Sequence, residues 1–145
     1  MNFARFFVDR PIFAGVVSIF VSRLLAGQPL SIFGDGEQTR DYVSVKDVAR
    51  ANVLASSAAL PADADHDARA FNIATGVERT VLELAEAAGR VTGRKPELRM
   101  EAARPGEILR SALDVTKAAG VLGWRPEVPF DAGLAMLMDW FRTEG

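Results

Sequence analysis

The sequence predicts a layered domain of helices and strands, α/β or α+β, on three observations. Short alternating apolar runs recur along the chain, stripes of 3.6-residue period stand between them, and glycine- or proline-bearing turns punctuate the joins. The composition agrees: 49% hydrophobic and 25% charged residues over 145 positions suit one globular core rather than a disordered chain.

The elements follow in chain order. From Ala14 to Ala26 the positions Val16, Val17, Ile19, Phe20, Leu24 and Leu25 cover much of a helix, and Gly27 is its stop. Leu30-Ser31-Ile32-Phe33 alternates like a strand and runs into Gly34-Asp35-Gly36, where glycine supplies the positive φ values that a tight turn demands. Asp41-Tyr42-Val43 reads as extended. Behind it Val45, Val48, Ala49 and Asn52 fall on one face of a helix reaching about Ser57, with Ser44 as its cap. Leu60 to Arg69, carrying a proline and three aspartates, reads as surface loop, which makes His66 a surface residue.

Ala70-Phe71-Asn72-Ile73-Ala74 is the next strand candidate, closed by Thr75-Gly76. Thr80-Val81-Leu82-Glu83 fits the capping box, in which a threonine hydroxyl and a glutamate carboxylate each satisfy a backbone donor at a helix start. Val81, Leu84, Ala85, Ala88 and Val91 form the stripe of that helix. Glu97 to Met100 reads as strand, Arg104 to Glu107 as turn, and a short helix is capped by Asp114 and stopped by Gly123. The last helix puts Phe130, Leu134, Leu137 and Phe141 on one face.

Charge and composition exclude several functions. Seventeen basic against nineteen acidic residues leave a net charge of −2, so no overall field draws nucleic acid or an anionic membrane. Without cysteine there is neither a disulfide framework nor a thiolate metal site, which suits a reducing cytoplasm, and a single histidine argues against zinc. Pro11 to Leu25 is apolar, but the uncharged run ends at Ser22, short of the roughly 20 residues a bilayer span needs. Arg23 adds a charge costing about 2.5–3.5 kcal/mol at a membrane-helix centre. No small-residue cleavage site of a signal peptide follows it.

A diphosphate flanked by a nucleoside and a sugar needs planar cations, a flat apolar surface and acceptors for ribose hydroxyls. Arg40 and Arg104 stand in turn contexts and carry the guanidinium fork that matches phosphate. Phe33 beside Gly34 and Gly36 sets a ring where backbone can approach a base, and Glu107 can accept from a ribose diol. Taken singly, each has a structural reading: Arg40 with Asp41 as a surface ion pair, Phe33 as core, Arg104 as a loop arginine.

Their order along the chain resembles one family. Leu25-Ala26-Gly27-Gln28-Pro29-Leu30, the run from Ile32 to Val43 (IFGDGEQTRDYV) and Val45-Lys46-Asp47-Val48-Ala49 are similar to extended short-chain dehydrogenases/reductases. So are Phe71 to Gly76, Arg104-Pro105-Gly106-Glu107 and Leu122-Gly123-Trp124-Arg125-Pro126. Within that group the match is to nucleotide-sugar epimerases and dehydratases, such as UDP-glucose 4-epimerase and dTDP-glucose 4,6-dehydratase. The resemblance implies an α/β fold, the C-terminal substrate-binding part of such an enzyme. It further implies Phe33 by the base, Arg40 and Arg104 on the diphosphate of a UDP- or dTDP-sugar, Glu107 facing the ribose, and Asn72 contacting the ligand. Family members hold NAD in an N-terminal Rossmann half and use a Tyr-x-x-x-Lys pair to move a proton during hydride transfer.

These 145 residues depart from that pattern where the chemistry lies. They contain no Gly-x-x-Gly-x-x-Gly after a strand, and Gly120-x-x-Gly123 reads as a helix stop, so no cofactor-binding residue is assigned. Tyr42 and Lys46 have the catalytic spacing, yet Tyr42 belongs to the Arg40-Asp41-Tyr42 segment rather than to a helical face shared with Lys46. No catalytic residue is assigned either. Residues 1–16 (MNFARFFVDRPIFAGV) resemble the start of a resistance–nodulation–division efflux pump. The expected organisation is therefore a foreign-looking segment 1–16 and a nucleotide-sugar-binding domain 17–145, as in a joined reading frame that is inactive alone. The rival readings are a stand-alone sugar-nucleotide module, a chain completed by a Rossmann-domain partner or by self-association, a non-functional fusion product, and a membrane-associated protein tethered by the pump-like start.

Overall fold

The computed structural model describes residues 12–60 and 66–143. Most of the pump-like segment lies outside them. In chain order the elements are α1 (Ile12–Leu25), β1 (Leu30–Phe33), β2 (Thr39–Arg40), α2 (Val45–Ser57), α3 (His66–Arg69), β3 (Arg79–Thr80), α4 (Val81–Thr92), β4 (Leu98–Glu101), α5 (Thr116–Leu122) and α6 (Phe130–Thr143). They divide into two units. The first takes the described chain up to Gln38, Thr80–Leu109, and the chain from Asp131; the second takes Thr39–Arg79 and Arg110–Phe130.

In the first unit α1 packs on α4, burying Phe20, Val21 and Leu24 with Leu84, Ala85 and Ala88. Full burial of a large aliphatic or phenyl side chain contributes about 1.5–3 kcal/mol, so this seam is the unit's main source of cohesion. Gly27, with φ 69°, ends the α1 region as its sequence position predicts. The capping box at α4 forms as expected: Thr80 Oγ1 accepts from the Glu83 amide at 3.0 Å and Glu83 Oε2 from the Thr80 amide at 2.8 Å. β1 runs parallel to β4 with Leu30 opposite Leu98 and Phe33 opposite Glu101. Strand alternation then decides the faces: Leu30 and Ile32 are buried, Ser31 and Phe33 only half so. Leu134 and Met138 are the buried residues of α6.

The second unit is built around Trp124, wholly buried with Ala51, Ala118 and Leu122. Ser44 caps α2 through a 3.3 Å bond from the Lys46 amide. The inward face of α2 differs from the one its sequence suggests. Val45 is 71% exposed, Ala49 and Asn52 are exposed, and the buried residues are Asp47 and Ala51. The reason is polar: Asp47 carboxylate oxygens accept from the Glu127 amide at 3.1 Å and the Val128 amide at 3.0 Å, beside the Arg50 guanidinium at 3.3 Å. A paired carboxylate with backbone donors can be buried where an unpaired one cannot.

Ala70–Ala74 forms no strand. Phe71 and Ile73 instead pack sideways on the Trp124 cluster, so their alternation serves a loop lying on a core. Asp41-Tyr42-Val43 likewise follows β2 rather than forming part of it. The cap of α5 is Val115 rather than Asp114, whose Oδ1 still accepts from the Thr116 amide at 2.8 Å, and Gly123, with φ 63°, ends the helix as predicted. Among the described residues no helix is long and apolar enough to cross a membrane.

Candidate functional site

Parallel pairing is what assembles the first unit's candidate site. Because β1 and β4 run the same way, the loops after Phe33 and after Glu101 leave at the same end of the ladder. Open α/β sheets bind ligands at that end. Arg104, three residues beyond Glu101, lays its guanidinium carbon 3.6 Å from the centre of the Phe33 ring. This is face-to-face contact, and it leaves the in-plane N–H groups pointing away from the ring. Among the described residues the Arg104 guanidinium makes no hydrogen bond and no ion pair.

The loop beneath the pair is fixed by its own backbone. Gly34 and Gly36 take φ of 71° and 78°. A Cβ on Gly36 would stand 2.7 Å from Leu82 Cγ and 2.9 Å from Ile32 Cγ2, so the glycine permits both the turn and the close approach. The buried Gln38 amide donates to the Phe33 carbonyl at 2.9 Å, while the Gln38 and Gly36 carbonyls accept from the Val81 and Leu82 amides. Sequence reading passed over Gln38, since a glutamine between two loops carries no local signal. Glu107 is half-buried in the turn that its amide closes onto the Arg104 carbonyl at 3.3 Å.

In the second unit Arg40 donates from Nη1 to the Thr39 carbonyl at 2.7 Å. Asp41 does not face solvent as a plain ion-pair partner. Its carboxylate accepts from the Thr75 amide at 2.8 Å, the Thr75 hydroxyl at 2.6 Å and the Gly76 amide at 2.8 Å. That ties the Arg40-Asp41-Tyr42 segment to the Thr75-Gly76 turn, a link the sequence did not reveal. Asn72 Nδ2 donates to the Asp114 carbonyl at 3.2 Å, which spends one of its donors on holding the start of α5. Glu78 gathers Thr39 Oγ1 at 3.0 Å and Arg110 Nη2 at 2.8 Å, and the Arg110 hydrogen bond pulls its carboxyl below the usual range, with Thr39 adding to it.

Tyr42, Thr75, Val77, Arg79, Glu127 and Phe130 line a shallow cavity of about 270 Å³ in this unit. The Tyr42 and Phe130 rings stand 5.6 Å apart, and the Arg79 guanidinium covers Phe130 at 4.6 Å. Burial pushes the Tyr42 phenol from 10.0 up to about 12, with the Arg40 charge pulling the other way. A tyrosine that accepts a proton near neutrality needs the opposite shift. Of the five sequence-assigned ligand residues, Phe33, Arg104 and Glu107 stand in the first unit, and Arg40 and Asn72 in the second. Among the described residues no group of three or more acidic or histidine side chains could hold a metal ion.

The chain matches the family described as GDP-mannose 4,6 dehydratase over residues 7–137. That match takes in residues 7–16 of the stretch set apart above, so a foreign, pump-like origin for that stretch is without support. A UDP-glucose 4-epimerase from Mycolicibacterium smegmatis is 43% identical over 131 residues, 90% of this chain and 40% of that protein. The solved UDP-glucose 4-epimerase with UDP-glucose from Thermotoga maritima has a TM-score of 0.78 at 42% identity, covering 88% of this chain and 39% of that one. The complex with NAD of the Thermus thermophilus UDP-glucose 4-epimerase gives 0.77 at 35% identity, covering 91% and 41%. The chain thus spans about 40% of the length of these relatives.

Proposed function

On the premise that this chain belongs to the GDP-mannose 4,6 dehydratase family, and that its fold is that of the C-terminal part of extended short-chain dehydrogenase/reductase epimerases, we propose that it binds a UDP- or dTDP-linked sugar. It would be the substrate-binding portion of an NAD-dependent epimerase/dehydratase, without turnover of its own. The observation that carries the reading is the Arg104 guanidinium, stacked on Phe33 with its in-plane donors unpaired at the end of the β1/β4 ladder. A planar apolar surface and an anion-seeking fork at one spot are what a nucleoside diphosphate requires.

In this proposal Phe33 meets the base, Arg104 binds the diphosphate and Glu107 accepts from the ribose, all within the first unit. NAD would be supplied by a Rossmann domain, in a longer chain or a partner, since these 145 residues contain no dinucleotide-binding glycine turn. A cytoplasmic setting fits the absence of cysteine.

Titration calorimetry of the purified chain with UDP-glucose and, separately, NAD tests the reading. Saturable binding of the first without the second is the expected result, and a flat UDP-glucose titration removes the proposal. Arg104→Ala should cost about 1.5–3 kcal/mol of binding, the usual worth of a hydrogen bond to a charged group.

A further inference from the structure

In the arrangement just described the guanidinium occupies one face of the Phe33 ring, so a base seeking that face meets Arg104 first. At 3.6 Å from the ring centre the two planes are in van der Waals contact, and no base fits between them. Two further observations bear on what happens when ligand arrives. Arg104 is exposed, lies in a turn, and has nothing except the ring holding its guanidinium among the described residues. Phe33, in contrast, is fixed: it ends β1, its carbonyl is bonded to buried Gln38, and its neighbour Gly34 donates to the Glu101 carbonyl at 3.0 Å. One member of the stack is anchored and the other is free to leave.

We propose that Arg104 is a placeholder for the nucleobase: it covers Phe33 while the site is empty, and is displaced from the ring onto the diphosphate when a nucleoside diphosphate binds. This inference rests on the sugar-nucleotide reading given above and adds an exchange within it. The exchange keeps the apolar ring covered without ligand. It also couples the two halves of recognition, since the base gains its stacking surface only as the arginine moves, and the arginine moves at least cost when a phosphate is there to receive it. A nucleoside without phosphates must displace Arg104 with no compensating partner, so the site discriminates against it. An exposed cation–π contact of this kind corresponds to about a two- to fivefold penalty.

The test uses the whole chain with uridine and UDP as probes. In calorimetry Arg104→Ala should bind uridine about two- to fivefold more tightly than the unmodified chain, and UDP at least tenfold less tightly. In proton–nitrogen spectra the Arg104 Nε–H signal, assigned by its loss in Arg104→Lys, should sit upfield in the free chain from the ring current of Phe33. Saturation with UDP should move it downfield. If UDP binds but that signal stays upfield, or if Arg104→Ala weakens uridine as well as UDP, the exchange is wrong while the binding site stands. If neither the unmodified chain nor Arg104→Ala binds UDP or uridine, the sugar-nucleotide reading itself fails and takes the exchange with it.

Discussion

The indole Nε1 of Trp124 donates a 2.9 Å hydrogen bond to the backbone carbonyl of Asp47, 77 residues earlier, while the carboxylate of the same aspartate accepts from the Glu127 and Val128 amides. Asp47→Ala should therefore leave two partly buried backbone donors without their acceptor and destabilise the chain by about 1–3 kcal/mol. Asp47→Asn keeps one carbonyl oxygen and should cost less. Urea denaturation followed by Trp fluorescence measures both, and equal midpoints for the two variants and the parent would sink the assignment.

Tyr42 is the sole tyrosine, so phenolate absorbance reports on it alone. Its folded pKa lies near 12 against an ordinary 10.0, which means that the native state favours the protonated phenol. The stability this contributes is complete below pH 10.0 and is lost as pH rises through about 12. Absorbance should show one late transition in the native protein, falling to about 10 in urea. A native midpoint at the ordinary value would contradict the burial.

Which features were legible in the sequence depended on how local their causes were. Thr80 and Glu83 satisfy each other's backbone across one helical turn, so the start of α4 could be read from four residues. The buried face of α2 could not, because the donors that make Asp47 an inward residue lie at 127 and 128. Phe71 and Ile73 alternate as a strand would, but a strand also needs a ladder partner, and among the described residues none pairs with 70–74. In the candidate site both Phe33 and Arg104 were identifiable as residue types; their stacking was not, since it follows from the parallel register of β1 with β4.

Gly36→Ala should be costly on two counts. Alanine resists a φ of 78°, and its methyl would enter the space of Leu82 and Ile32. Together these predict a loss of about 2–5 kcal/mol. Thermal unfolding of Gly36→Ala beside Gly76→Ala, where a Cβ meets nothing within 4 Å, separates the close approach from the backbone strain that both positions share.

On α2, Val45 and Val53 are 71% and 67% exposed, with Ala49 also exposed between them. If this stripe docks on a second copy, replacing both valines by serine should weaken the association by about tenfold for each valine buried, at roughly 1.5 kcal/mol apiece. Sedimentation velocity over a concentration series reads the effect on self-association, and superimposable profiles for parent and double variant would remove this face from consideration.

The bond between Asp47 and the segment after Trp124 also bears on how the protein is made. A ribosome exposes the α2 sequence long before it releases residues 124–128, so during synthesis that helix presents a carboxylate whose permanent partners do not yet exist. The second unit can close only once residues 124–128 have emerged. A stop codon ahead of Trp124 would thus strip the Asp47 helix of these long-range partners while leaving every one of its own amino acids in place.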